Sequence, residues 1–150
     1  MMLIITTKHQ LIMIYVIVQF SCIAYFLFNA RFEALNSLDY GLIAVAVVIG
    51  ISAMATMKLD NLNIVPSLKD QHQLVISGIY RWIRHPMYTS VLLLSYVFAS
   101  TNDHKIAQFA MLILVVDLFL KSNLEEKLLL QRFSAYRNYR EKTGRFIPFL

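Results

Sequence analysis

The stretch GIYRWIRHPMYTSVLLL, Gly78–Leu94, changes character in its middle. Its first half holds Arg81, Arg84 and His85 among aromatic residues. After Pro86 it becomes a run of apolar residues. Proline suits the first turn of a helix, where its missing N–H has no partner to lose. The run therefore starts a helix at Pro86, with a polar cluster held at its mouth. Arginine stems beside Trp82 and Tyr88 are also what a membrane–water boundary collects, so taken alone the cluster describes an interfacial anchor.

The rest of the chain decides what the helix enters. Of 150 residues, 58% are apolar, and the mean hydropathy is +0.58. Soluble domains run at roughly 45–50% apolar, and a chain of this length has too small an interior to hide the excess. Four apolar runs follow one another at 11–28, 38–57, 86–100 and 106–120. The first two approach the roughly 20 residues that cross hydrocarbon. The last two, separated by TNDHK, reach only about 22 Å each as helix, which suggests a short hairpin. A soluble helical hairpin is the alternative. Lys8 before the first run resembles the start of a signal peptide. The run is longer than the usual apolar core of roughly 7–15 residues, and no small-residue cleavage site follows it. It reads as a retained helix. Cys22 is the single cysteine, which excludes an internal disulfide and a cysteine-clustered metal site.

Charge supplies an orientation. With four crossings and a cytosolic N-terminus, Lys8, the loop cations Lys58, Lys69, Arg81 and Arg84, and every basic residue from Lys121 to Arg145 lie inside. Only Arg31 and Lys105 of the 14 lysines and arginines lie outside. This is the expected bias for cytosolic loops. It places both termini, the loop before Pro86 and the tail on one face. The net charge of +5 is thereby explained by topology rather than by nucleic acid. From Lys121 to Lys142, Leu124, Leu128, Phe133 and Tyr136 recur at helical spacing with arginines mostly off that stripe, which predicts an amphipathic surface helix ending near Gly144 and Pro148. The fold expected is all-α: one membrane domain over residues 1–150 with about four transmembrane helices and a C-terminal amphipathic cytosolic helix.

Two polar segments then fall on the same face: HQLVISGIYRWIRHPMY, His72–Tyr88, and EEKLLLQRFSAYRNY, Glu125–Tyr139, before a closing RFIP. Together they resemble the isoprenylcysteine carboxyl methyltransferase family, a group of small integral-membrane methyltransferases related to the phospholipid methyltransferases. The shared pattern is H-x-L-V, G-x-Y, R-H-P-x-Y, then E-E-x-x-L leading to F-G-x-x-Y-x-x-Y. It extends over roughly residues 63–148. The resemblance implies S-adenosyl-L-methionine as cofactor, held by His72, Leu74, Val75, Tyr80, His85, Pro86, Tyr88 and Glu125. It implies a lipophilic acceptor, a prenylated or lipid-like molecule entering from the bilayer. Lys121 stands where the family carries an arginine linked to that acceptor, and Ser134 stands where the family has glycine. Lysine lacks the planar two-pronged grip of arginine on a carboxylate. Arg84, His85 and Lys121 are the candidate catalytic residues. No metal and no nucleic acid are expected, and a bacterial inner membrane is the expected location.

The residue types suit that cofactor. A carboxylate such as Glu125 accepts charge-assisted hydrogen bonds from an ammonium or a ribose. Arg84 and His85 suit a carboxylate, and aromatic faces attract a sulfonium. His85 or Glu126 is a candidate base for an amine acceptor, whereas a carboxylate acceptor needs none. Asp117 lies inside the fourth apolar run, where an ionisable side chain is costly. Two other functions share some of these features: an NADPH-dependent membrane reductase related to sterol reductases, and a non-catalytic membrane scaffold.

Overall fold

The structure is a computed structural model that describes residues 2–57, 74–102 and 104–150, with side chains from residue 13 onward. It is helical throughout, and the described residues contain no strand, only one isolated parallel bridge between Ile83 and Gly144. The helices are α1 (Met2–Asn29), α2 (Ser37–Met57), α3 (Pro86–Ser100), α4 (Lys105–Arg132) and α5 (Tyr136–Lys142). Short 3₁₀ turns sit at Phe32–Ala34 and Gly78–Arg81. α2 and α4 are each long and apolar enough to cross a membrane. α3 and the Met13–Asn29 part of α1 are shorter apolar helices.

Local chemistry explains the starts. The Asn36 side-chain oxygen accepts the backbone N–H groups of Leu38 and Asp39 at 2.8 and 3.2 Å, and the Asp39 carboxylate accepts the N–H of Asn36 at 3.0 Å. This reciprocal pair satisfies donors that a helix start leaves open. At α3, Pro86 occupies the first turn. The His85 carbonyl accepts the N–H of both Tyr88 and Thr89.

α3 is the central element, packed against α2, α4 and α1. Its seam with α2 is built from small residues. Ala46 and Ala53 are fully buried, and the Ser90 hydroxyl donates to the Ala46 carbonyl at 2.7 Å. A Cβ on Gly50 would meet Ser90 Oγ at 2.8 Å. Small residues let helix backbones approach in this way when lipid removes the hydrophobic drive between helices. Gly50→Val overpacks the seam and lowers stability by about 1–3 kcal/mol. Thermal unfolding of the variant in detergent checks this. On the other side of α3, Cys22, Phe26, Leu114 and Leu118 form a buried core with Tyr88, Val91 and Leu92 against it.

The outer surfaces are apolar. Ile17, Phe20, Val48, Ile51, Phe109, Leu112, Val116 and Phe119 are all exposed. An exposed apolar belt of this breadth marks a surface that lipid covers. The protein is a membrane protein.

The tail departs from the expected single helix over 121–142. α4 does not stop at residue 120 but continues to Arg132. Lys121 to Gln131 contains no glycine or proline, so nothing interrupts the backbone ladder. At roughly 42 Å, α4 is longer than the ~30 Å of hydrocarbon. A crossing by α4 would leave its last turns outside the apolar layer. The chain breaks at Phe133, whose backbone is extended, and resumes as the short α5. The tail beyond α5 folds back onto the segment before α3.

Candidate functional site

Folding back is a zipper between the tail and the segment before α3. The Gly144 N–H bonds to the Trp82 carbonyl at 3.2 Å, the Arg84 N–H to the Gly144 carbonyl at 2.8 Å, and the His85 N–H to the Arg145 carbonyl at 3.0 Å. Thr89 Oγ1 donates to the Phe146 carbonyl at 2.7 Å. The turn that follows needs glycine, since a Cβ on Gly144 would lie 1.7 Å from the Ile147 carbonyl oxygen. The Tyr139 hydroxyl, whose pKa burial pushes up to about 12, donates to the Tyr80 carbonyl at 2.5 Å. The start of α3, the end of α4, α5 and the tail thus meet at one point.

At that point lies Glu126, whose side chain is 3% exposed. Arg84 Nε is 2.9 Å from its Oε1, and Arg140 Nε and Arg145 Nη2 are 3.3 and 3.4 Å from its Oε2. His85 Nε2 lies 3.3 Å from Oε1. Arg84 also donates through Nη1 to the carbonyls of Arg140, at 2.9 Å, and Thr143. Arg145 donates to Asn123 Oδ1 at 2.7 Å and lies 4.7 Å from the Phe119 ring centre. Both Glu126 oxygens are therefore engaged from several sides. Three guanidinium groups share one carboxylate, which leaves a surplus of positive charge at this corner.

Glu125, the neighbouring carboxylate, differs. Its side chain is 22% exposed. It accepts a hydrogen bond from the Tyr88 hydroxyl at 2.5 Å and faces His85 Nδ1 at 3.4 Å. His85 and Tyr88 stack nearly parallel, at 5.4 Å between ring centres and 6° between planes. His85 therefore bridges the two carboxylates, one ring nitrogen to each. Burial alone would lower its pKa, but the hydrogen bonds and charges of Glu125 and Glu126 outweigh that and raise it. A raised histidine pKa contributes stability that is full below the unfolded value of about 6.5 and is lost as pH rises through the folded value. The melting temperature should fall as pH climbs from about 6.5 through that folded value. In His85→Gln the fall should be smaller, as melting curves across pH 6–9 would reveal.

The sequence-derived residues divide as follows. Arg84, His85, Pro86, Tyr88 and Glu125 meet at the α3–α4 mouth. Tyr80 is buried in the adjoining 3₁₀ turn, and Leu74 and Val75 lead into it, half-buried. His72 lies outside the described residues. Lys121 is buried one turn before Glu125, with Nζ 2.7 Å from Gln19 Oε1 of α1 and 5.3 Å from the Tyr88 ring centre. Arg140, Arg145 and Gln19 were not singled out from sequence. Arg145 opens the closing RFIP, which was the available signal. The described residues contain no cluster of three or more histidine, cysteine or acidic groups arranged to hold a metal.

A family model described as the isoprenylcysteine carboxyl methyltransferase (ICMT) family matches residues 40–131. No curated protein matches the chain. The family match takes in α2, α3 and nearly all of α4, and with them His85, Tyr88, Glu125 and Glu126.

Proposed function

We propose, for a chain that belongs to the isoprenylcysteine carboxyl methyltransferase family, that it transfers a methyl group from S-adenosyl-L-methionine to a lipophilic acceptor at the membrane surface. The observation that carries this reading is the division between the two adjacent glutamates. Glu126 is enclosed by Arg84, Arg140 and Arg145, whereas Glu125 is partly open beside the His85–Tyr88 stack. One carboxylate holds the corner together and the other is available to a ligand.

The side chains fit a molecule carrying an ammonium, a carboxylate, a sulfonium and an adenine. Glu125 would bind the ammonium or ribose hydroxyls by charge-assisted hydrogen bonds. The surplus guanidinium charge of Arg140 and Arg145 suits a carboxylate. The rings of Tyr88 and Tyr80 supply apolar faces, which also attract a cation. When bound, the cofactor supplies an activated methyl group. Arg84, committed to Glu126 and two tail carbonyls, acts as a positioning residue. His85 orients Tyr88 by stacking and links the two glutamates. Lys121, buried beside Tyr88 and bonded to Gln19 of α1, would lie at the acceptor end of the site. Protein groups then contribute chiefly by positioning the reactants and excluding water.

In this reading all four long helices cross the bilayer, both termini and the site face the cytosol, and the membrane is a bacterial inner membrane. The charge distribution supports that orientation. Purified protein incubated with methyl-labelled S-adenosyl-L-methionine and a membrane lipid extract should transfer label into the organic phase. A folded protein that leaves that phase unlabelled and instead oxidises NADPH would overturn the reading.

A further inference from the structure

The closing loop after the zipper presents large apolar side chains outward. Ile147 is 59% exposed, Phe149 72% and Leu150 85%. Trp82, on the partner segment of the zipper, is 49% exposed, and its ring meets that of Phe149 edge to face at 5.4 Å. Phe149 holds this place with φ +63°, a left-handed conformation that a bulky residue rarely adopts. The loop nevertheless satisfies its own backbone. The carbonyls of Gly144 and Arg145 accept the N–H groups of Arg84 and His85, and that of Phe146 accepts Thr89 Oγ1. The Leu150 carbonyl accepts the Arg145 N–H at 2.7 Å, and the Ile147 carbonyl accepts the Leu150 N–H at 3.2 Å. A segment with apolar side chains outside and paired carbonyls inside can enter a region poor in water.

Its surroundings identify that region. The 3₁₀ turn before Trp82 rests on the end of α2, where a Cβ on Gly78 would lie 2.6 Å from Thr56 Oγ1. Ile51 and Met54, just before Thr56, belong to the exposed apolar surface of α2. The Trp82–Phe149 patch therefore continues the lipid-facing belt at its edge. Arg81, Arg137 and Lys142 are exposed on the same segments, against Glu141. Such a basic rim suits the phosphates of a leaflet surface. In a symmetric pairing with a second copy the patch would meet itself, and the rim would face like charge.

We propose that Trp82 and the Ile147–Leu150 loop form an interfacial anchor, inserted at the boundary between headgroups and acyl chains of the membrane that holds the helices. Tryptophan is suited to that boundary, and apolar side chains beside basic ones give binding there. Phe146, which leads into the loop, lies 6.0 Å from the His85 ring centre and 6.5 Å from that of Tyr88. The anchor thereby holds the tail over the site. The inference needs the membrane character of the helices and is independent of the methyltransferase reading.

Trp82 is the single tryptophan of the chain, so its emission reports on this patch alone. The full chain is reconstituted, without cofactor, in vesicles of phosphatidylcholine and phosphatidylglycerol. Their acyl chains carry bromine, a contact quencher, either near the headgroup or near the methyl end. Trp82 should lose more emission to the shallow bromines than to the deep ones. A second protein, Trp82→Phe with Phe149→Trp, moves the fluorophore into the loop and should show the same order. Wild-type emission that neither bromine position reduces would overturn the proposal, with no variant needed. So would greater loss to the deep bromines in either protein, or a folded second protein whose tryptophan no bromine reaches.

Discussion

Replacing Glu126 by alanine destabilises the protein by about 3–5 kcal/mol, the usual cost of removing one partner from a buried ion pair. The cause is the charge left behind. Arg84, with 9% of its side chain exposed, and Arg145, with 17%, both point at this carboxylate. Without it, His85 and the guanidinium groups repel one another at the point where the tail is zipped to the α3 start. The tail contacts through Gly144 and Arg145 should loosen with it. Thermal unfolding in detergent should show a large drop. Limited proteolysis should cut first between α5 and the C-terminus. Glu126→Gln keeps the shape and some hydrogen bonds, so its cost should be smaller. A Glu126→Ala protein as stable as wild type would show that the corner is held by something else.

Glu125→Ala should behave in the opposite way. Glu125 is partly exposed and contacts Tyr88 and His85, with no arginine among its described partners. Its loss should lower the melting temperature less than that of Glu126, since only the Tyr88 hydroxyl and His85 lose a partner and no guanidinium is left uncompensated. It should weaken S-adenosyl-L-methionine binding by about ten- to a hundredfold, the scale of one or two hydrogen bonds to a charged group. Calorimetric titration of wild type and variant gives both affinities, and melting curves show whether the fold survives. The contrast between neighbouring glutamates is the point. A site in which both were structural would lose comparable stability with either, and affinity only as a consequence.

That contrast was not legible in the sequence. Adjacent residues on a helix differ by about 100° in direction, so an E-E pair says that one of them faces inward and not which one is sealed. Sealing depends on Arg140 and Arg145, which reach Glu126 only because the chain breaks at Phe133 and folds back. No glycine or proline marks that break, and a helical stripe runs through it, so a continuous surface helix over 121–142 was the natural expectation. The apolar runs were legible because burial in lipid requires long uninterrupted stretches, and the helices match them closely at α2 and α3. The meeting of His85, Tyr88 and Glu125 was legible through the resemblance, not through spacing. The Lys121–Gln19 bond joins residues 102 positions apart, and only the packing of α1 on α4 reveals it. Asp117 was visible as a charge in an apolar run. Its burial is a property of the folded interior.

The central claim is that this corner binds S-adenosyl-L-methionine. Its most direct test is titration of purified, folded protein in detergent with S-adenosyl-L-methionine and, in parallel, with NADPH. Saturable binding of S-adenosyl-L-methionine at one site per chain, with none for NADPH, is the predicted result. A folded protein that fails to bind S-adenosyl-L-methionine would contradict the account.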